Sequence, residues 1–145
     1  MSDQIKISCT VDSTDYSVPL GMRISLDNVV VYENSHVSHE TQIQHDLADD
    51  DGEHELTFEL FGKTHEHTQI DDAGNIVSDA MLSVKDIQID GMDINYLVHT
   101  MTVYHHDFNG TQAPQQNKFF GSMGCNGSAK FKFTTPIYIW FLENM

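Results

Sequence analysis

Several groups of residues in this chain have types and spacings that could do chemistry. Within KTHEHTQIDDAGNIVSD, residues 63 to 79, His65 and His67 stand two apart and are followed by Asp71, Asp72 and Asp79. On an extended strand, residues i and i+2 share a face. The two imidazoles would then project together and, with carboxylates folded back by a turn, could bind a borderline metal such as zinc. No second histidine pair stands at ligand spacing, so the plainer expectation for the stretch is a β-hairpin turning at Asp71 to Asn75. Asp49, Asp50, Asp51 and Glu53 form a cluster of hard oxygens that suits calcium. They are nearly contiguous, unlike the alternating ligands of an EF-hand loop, and an ordinary acidic turn is the competing reading. His105, His106 and Asp107 could exchange protons, but no Ser or Cys stands in a nucleophile motif beside them. GxSxG, GxxxxGK and the dinucleotide fingerprint are all missing. These residues point to no reaction, and the chain is expected not to be an enzyme.

The stretch FNGTQAPQQNKFFGSMGCNGS, residues 108 to 128, combines Gln115, Gln116, Asn117 and Asn126 with Phe119 and Phe120. Amides exchange hydrogen bonds with sugar hydroxyls, and aromatic rings stack on the apolar face of a pyranose. The same groups suit a subunit interface. These six residues are therefore the candidate binding set, for a sugar or for another chain.

Such side chains need a scaffold, and period-two alternation supplies one almost from end to end. In IKISCTV, Ile5, Ile7, Cys9 and Val11 fall on one face. RISLDNVVVYE reads as one β-branched strand. In GEHELTFELF, His54, Leu56, Phe58 and Leu60 alternate with Glu53, Glu55, Thr57, Glu59 and Phe61, which requires an antiparallel sheet with one solvated face. The alternation breaks between Val84 and Ile87, so a bulge is expected near Lys85 and Asp86. NYLVHTMTVYHHD reads as a further strand, and AKFKFTTPIYIWFLENM starts by alternating and closes on an apolar run from Ile137 to Leu142 that belongs in the core or at a subunit contact. No stretch shows a sustained 3.6-residue apolar period. The expected fold is all-β, an antiparallel β-sandwich of jelly-roll type, spanning 1–145 as one domain, with residues 1–20 as an N-terminal arm able to pair with a neighbour.

Length and composition agree with a single soluble domain: 145 residues, 39% hydrophobic, with no apolar run long enough to span a membrane and no signal-peptide pattern at MSDQIKIS. Cys9 and Cys125 fit no metal or redox spacing, and free packed thiols are expected. The net charge is -15, and residues 33 to 79 hold 13 of the 22 acids with only Lys63 among the bases. From Gly110 onward, Lys118, Lys130 and Lys132 outnumber the one acid, Glu143. An acidic surface repels phosphate backbones, so nucleic acid is not an expected partner, whereas a divalent cation or a basic protein surface is attracted.

Over HELTFELFGKTHEHTQIDDAGNIVSDAMLSVKDIQIDGMDI and FFGSMGCNGSAKFKFTTPIYIWFLENM the chain resembles small proteins of tailed bacteriophages that infect marine bacteria, cyanobacteria among them. That resemblance implies a β-sandwich serving as a virion accessory: a capsid decoration, a neck component or part of a tail fibre. It further implies assembly in the host cytoplasm, other virion proteins or like copies as partners, localisation to the particle, and no catalytic residues. The expected function is thus a non-enzymatic virion structural protein needing no cofactor. The alternative is a lectin-like module that recognises host polysaccharide through the 108–128 segment, with calcium held at Asp49, Asp50, Asp51 and Glu53.

Overall fold

The alternation along the chain resolves into two layers. The computed structural model describes residues 4–48, 51–63, 68–70, 72–73, 76–106, 115–119, 121–124 and 126–144. In the first layer β1 (Gln4–Ser13) pairs antiparallel with β4 (Thr41–Ala48) on one side and β8 (Leu82–Ile89) on the other. Two short strands, β9 (Met92–Asp93) and β12 (Ser122–Met123), extend it to a five-stranded sheet through β8. The arm expected over 1–20 does not form at Gln4–Ser13, because both backbone edges of that strand are already paired within its own sheet.

The second layer has six strands, in the order β11 (Gln115–Lys118), β10 (Val103–His106), β13 (Gly127–Thr135), β5 (Gly52–Phe61), β2 (Gly21–Leu26) and β3 (Val29–Asn34). Successive strands often change layer, as from β3 to β4 to β5, which is the double-sheet arrangement of a jelly roll. β6 (Thr68–Ile70) and β7 (Ile76–Asp79) form a separate antiparallel pair, the two arms of the hairpin expected within 63 to 79. Between the layers lie Phe58, Phe119, Phe131 and Phe133 from one side and Val11, Leu82, Ile87 and Ile89 from the other, all nearly inaccessible to solvent. Each such side chain contributes about 1.5–3 kcal/mol by leaving water. Cys9 lies in this interior as a free thiol, and burial pushes its pKa up to about 12.

The bulge expected near Lys85 and Asp86 is present. Ser8 faces Gln88 but Thr10 faces Lys85, and Asp86 takes a positive φ of 53°. This displacement leaves the Ile87 backbone outside the ladder, where its N–H donates to Asn95 Oδ1 at 3.0 Å and its carbonyl accepts from Ile94 N at 2.9 Å. The bulge therefore fixes the start of a helix.

Other stretches differ from the sequence reading. RISLDNVVVYE is a hairpin, because Asp27 and Asn28 both adopt left-handed φ, 52° and 67°, the pairing that a two-residue primed turn requires. NYLVHTM is not a strand but the helix α1 (Asn95–Met101), and strand resumes only at Val103. Ile94, Leu97 and Val98 are buried at i, i+3 and i+4, so a helix hides all three against β8 where an extended chain could not. The tail is strand only as far as Thr135. Beyond Pro136 it becomes α2 (Ile137–Asn144), which buries Ile137, Trp140 and Phe141 at the same helical spacing. Trp140 stands edge-on to Phe131 at 5.6 Å and to Phe133 at 6.4 Å, closing one end of the sandwich. No helix among the described residues is long and apolar enough to cross a membrane.

Candidate functional site

At the end closed by α2, three elements meet: the β2–β3 turn, the start of β5 and the finish of β13. Left-handed backbone at Asp27 lets its carboxylate fold back onto β5. Oδ1 accepts from Glu55 N at 2.8 Å, Oδ2 bonds His54 Nδ1 at 2.6 Å, and Asp27 N donates to Glu55 O at 2.9 Å. The same imidazole reaches Thr135 Oγ1 through Nε2 at 3.2 Å and packs on Phe133, with ring centroids 5.5 Å apart. Carboxylate, imidazole and hydroxyl in a row have the order of a hydrolase triad. Thr135 is only 4% exposed, however, so its hydroxyl cannot meet a substrate. The chain of contacts is a strut that locks the turn to both strands.

What the strut supports is a cleft of about 780 Å³, lined by Asp27, Asn28, Glu53, His54, Glu55, Lys132, Phe133, Thr134 and Trp140. Glu53 lies across the ladder from Thr134 and Glu55 from Lys132, so carboxylates, a hydroxyl and an ammonium share one small area. Glu53, Glu55 and Lys132 form no ion pair among the described residues, which leaves their hydrogen-bonding capacity for a ligand. Phe133 and Trp140 are 1% and 5% exposed. They wall the cleft without offering a ring face for stacking. A smaller recess of about 360 Å³ adjoins it, sharing Glu53 and Thr134 and adding Asp51, Ile139 and Glu143. The cleft can therefore recognise a polyol by hydrogen bonds. Carboxylates accept from hydroxyls, while Asn28 and Lys132 donate to them.

The residues expected from sequence are distributed differently. Phe119 is fully buried, packed on Phe58 at 5.7 Å and edge-on to His99 at 6.4 Å, so it belongs to the core and presents nothing to a sugar. Asn126 is occupied within the chain: its Oδ1 accepts from Lys63 N at 2.9 Å and its Nδ2 donates to Lys63 O at 2.7 Å. Lys63 is itself buried, its Nζ donating to Ala80 O at 2.8 Å and to Gly124 O. Gln115, Gln116 and Asn117 lie in β11, where Gln116 is exposed opposite His105, far along the sheet from the cleft strands' ends. Phe120 lies outside the described residues, as do Asp49 and Asp50 of the acidic cluster. Asp51 and Glu53 are exposed; of these two described residues Glu53 lines both the cleft and the recess, and Asp51 the recess.

His65, His67 and Asp71 also fall outside the described residues, while Asp72 is exposed in the turn and Asp79 pairs with Thr68. His105 points out of the sheet, whereas His106 is buried and stacked on Tyr104 at 4.8 Å; Asp107 is outside the described residues. Among the described residues no three His, Cys, Asp or Glu side chains converge to hold a metal ion. Sequence reasoning missed Asp27, Asn28, His54 and Lys132. The dipeptide Asp27-Asn28 between two alternating runs was a usable hairpin signal, and the hairpin is what brings the cleft together.

No protein-family model and no curated protein matches the chain. Two solved structures are similar to it. One, described as vCBM60 in complex with galactobiose, has a TM-score of 0.50 at 12% identity, covering 87% of this chain and 96% of that one. The other is the selenomethionine form of vCBM60, described with a circular permutation linking two families of calcium-dependent carbohydrate binding modules. It has a TM-score of 0.50 at 12% identity and covers 88% and 89%. At this identity the likeness establishes a shared β-sandwich fold.

Proposed function

We propose that this chain is a non-catalytic carbohydrate-binding module whose ligand is a neutral glycan held in the cleft between Asp27 and Lys132. The observation that carries the reading is that exposed Glu53 and Lys132 and half-buried Glu55 stand without ion pairs over a strut that fixes their strands. Support comes from the fold shared with a protein described in complex with galactobiose. Three carboxylates against one ammonium repel uronates and sulfated sugars, which is why a neutral glycan is the ligand class. The test is retention in affinity gels containing neutral polysaccharides, galactan among them. Retention that falls about tenfold in Glu53→Gln/Glu55→Gln supports the cleft, at the level expected for losing charge-assisted hydrogen bonds. Retention on none of the polymers contradicts the function.

Calcium is part of the description of the similar structures' families. Of the acidic cluster Asp49, Asp50, Asp51 and Glu53, the described residues Asp51 and Glu53 supply two of the roughly six to eight oxygens that calcium takes. The glycan reading of the cleft runs through hydrogen bonds and does not depend on the ion. A drop in Tm on adding chelator would show a bound ion at the acidic cluster, and unchanged melting would discard it.

Residence on a phage particle is a separate proposal, resting on the resemblance of residues 54–94 and 119–145. Mass spectrometry of purified particles tests it. Detection at a fixed copy number supports it, and absence from the particle refutes it.

A further inference from the structure

The helix α2 is apolar nearly all round, yet it lies at the surface. Ile137, Trp140 and Phe141 form its inner stripe, and Tyr138, Ile139 and Leu142 face outward at 52%, 55% and 84% exposure. A helix that is hydrophobic on every side belongs in an interior, and a solvated outer face should carry charged residues. On this helix Glu143 is the one charged residue. Acids flank the exposed stripe on both sides. Asp51, Glu53 and Glu143 line the recess that Ile139 floors, and Asp90 accepts a hydrogen bond from the Tyr138 hydroxyl at 2.6 Å on the other. The flank is acidic within a chain whose net charge is already -15.

We propose that the outer face of α2 is a docking surface for a basic, amphipathic segment of a partner protein. Its apolar side would cover Ile139 and Leu142, and its Lys or Arg residues would meet the acids along the recess. Charge complementarity selects this occupant. A second copy of the chain, at -15, is repelled, whereas a basic segment is steered in. The apolar part of this surface lies outside the larger cleft, since neither Ile139 nor Leu142 lines it, while Glu53 and Thr134 line both the cleft and the recess.

The test uses the intact chain and a synthetic helical peptide of Leu and Lys with one apolar face, against a Leu and Glu peptide with the same apolar face. Binding is followed by NMR shifts along α2. The Leu and Lys peptide should bind with shifts centred on Ile139 and Leu142. Ile139→Glu/Leu142→Glu should weaken it by at least about tenfold, although the variant is more acidic. Non-specific attraction of a cation to an acidic protein predicts the opposite sign. Both positions are exposed, so the variant keeps its fold, which an unchanged Tm verifies. Equal binding by the Leu and Glu peptide, or unchanged or tighter binding by the variant, overturns the proposal. So does concentration-dependent dimerisation of the chain that the variant abolishes, since a second copy then fills the face.

Discussion

The segment around Phe119 and Asn126 and the end around Asp27, Glu53 and Lys132 contain similar chemistry, aromatic rings beside amides and charges, but they do opposite work. In the first, the polar groups of Asn126 and Lys63 are occupied within the chain: Asn126 pairs both ways with the Lys63 backbone, and the Lys63 ammonium is taken by carbonyls of Ala80 and Gly124. Phe119 fills the core beside Phe58. At the second, hydrogen bonds from Asp27 and His54 hold the backbone, and the neighbouring Glu53, Glu55 and Lys132 side chains are left facing water. Residue type alone does not separate a clamp from a binding surface. What separates them is whether a group's hydrogen bonds are already made.

Variants that strike one region and spare the other sharpen this contrast. Phe119→Ala should have the largest effect, destabilising by about 3–5 kcal/mol as a large core ring is deleted, with glycan retention per folded molecule unchanged. Denaturant melts together with affinity gels check both halves; loss of retention in still-folded protein would return Phe119 to the binding set. Asn126→Ala should cost about 1–3 kcal/mol, since it removes both hydrogen bonds that the amide makes to the backbone of buried Lys63. Its melting curve should shift without any change in retention. Glu53→Gln/Glu55→Gln should do the reverse, moving stability by less than about 0.5 kcal/mol, as near-isosteric changes at side chains without ion pairs do, while retention falls. Equal stability losses at both regions would erase the distinction.

The smallest effect concerns a buried thiol. Cys9, raised to about 12 by burial, should resist thiol reagents in the native state at pH 8. In the unfolded chain a thiol ionises near its ordinary value of 9, so between that value and about 12 the folded state holds a proton that the unfolded state has lost. Stability should therefore decline as pH rises through this window. Rapid labelling of native protein at pH 8 would show that the sheets open around β1.

Much of the layer structure was legible in the sequence because period-two alternation survives into the sheets, from Ile5, Ile7, Cys9 and Val11 to Leu56, Phe58 and Leu60. Even the bulge beside Asp86 was visible as a broken alternation. The two helices were not, because each is barely two turns long. Ile94, Leu97 and Val98, or Ile137, Trp140 and Phe141, can be read as a short apolar run as easily as one helical face. Cross-layer packing, which settles that choice, is a property of the assembled sandwich. The cleft was illegible for a related reason: Asp27, His54 and Lys132 are distant in sequence and meet only through the register of β2, β5 and β13. The aromatic and amide content near 119–126 attracted attention because composition cannot report that a side chain is already bonded.

An NMR titration of the full chain with galactobiose and other neutral oligosaccharides tests the central claim most directly. Chemical-shift changes confined to residues 27–28, 53–55 and 132–134, absent in Glu53→Gln/Glu55→Gln, are the predicted result. Shifts centred on Gln116 and His105, or no shifts with any neutral sugar, would contradict it.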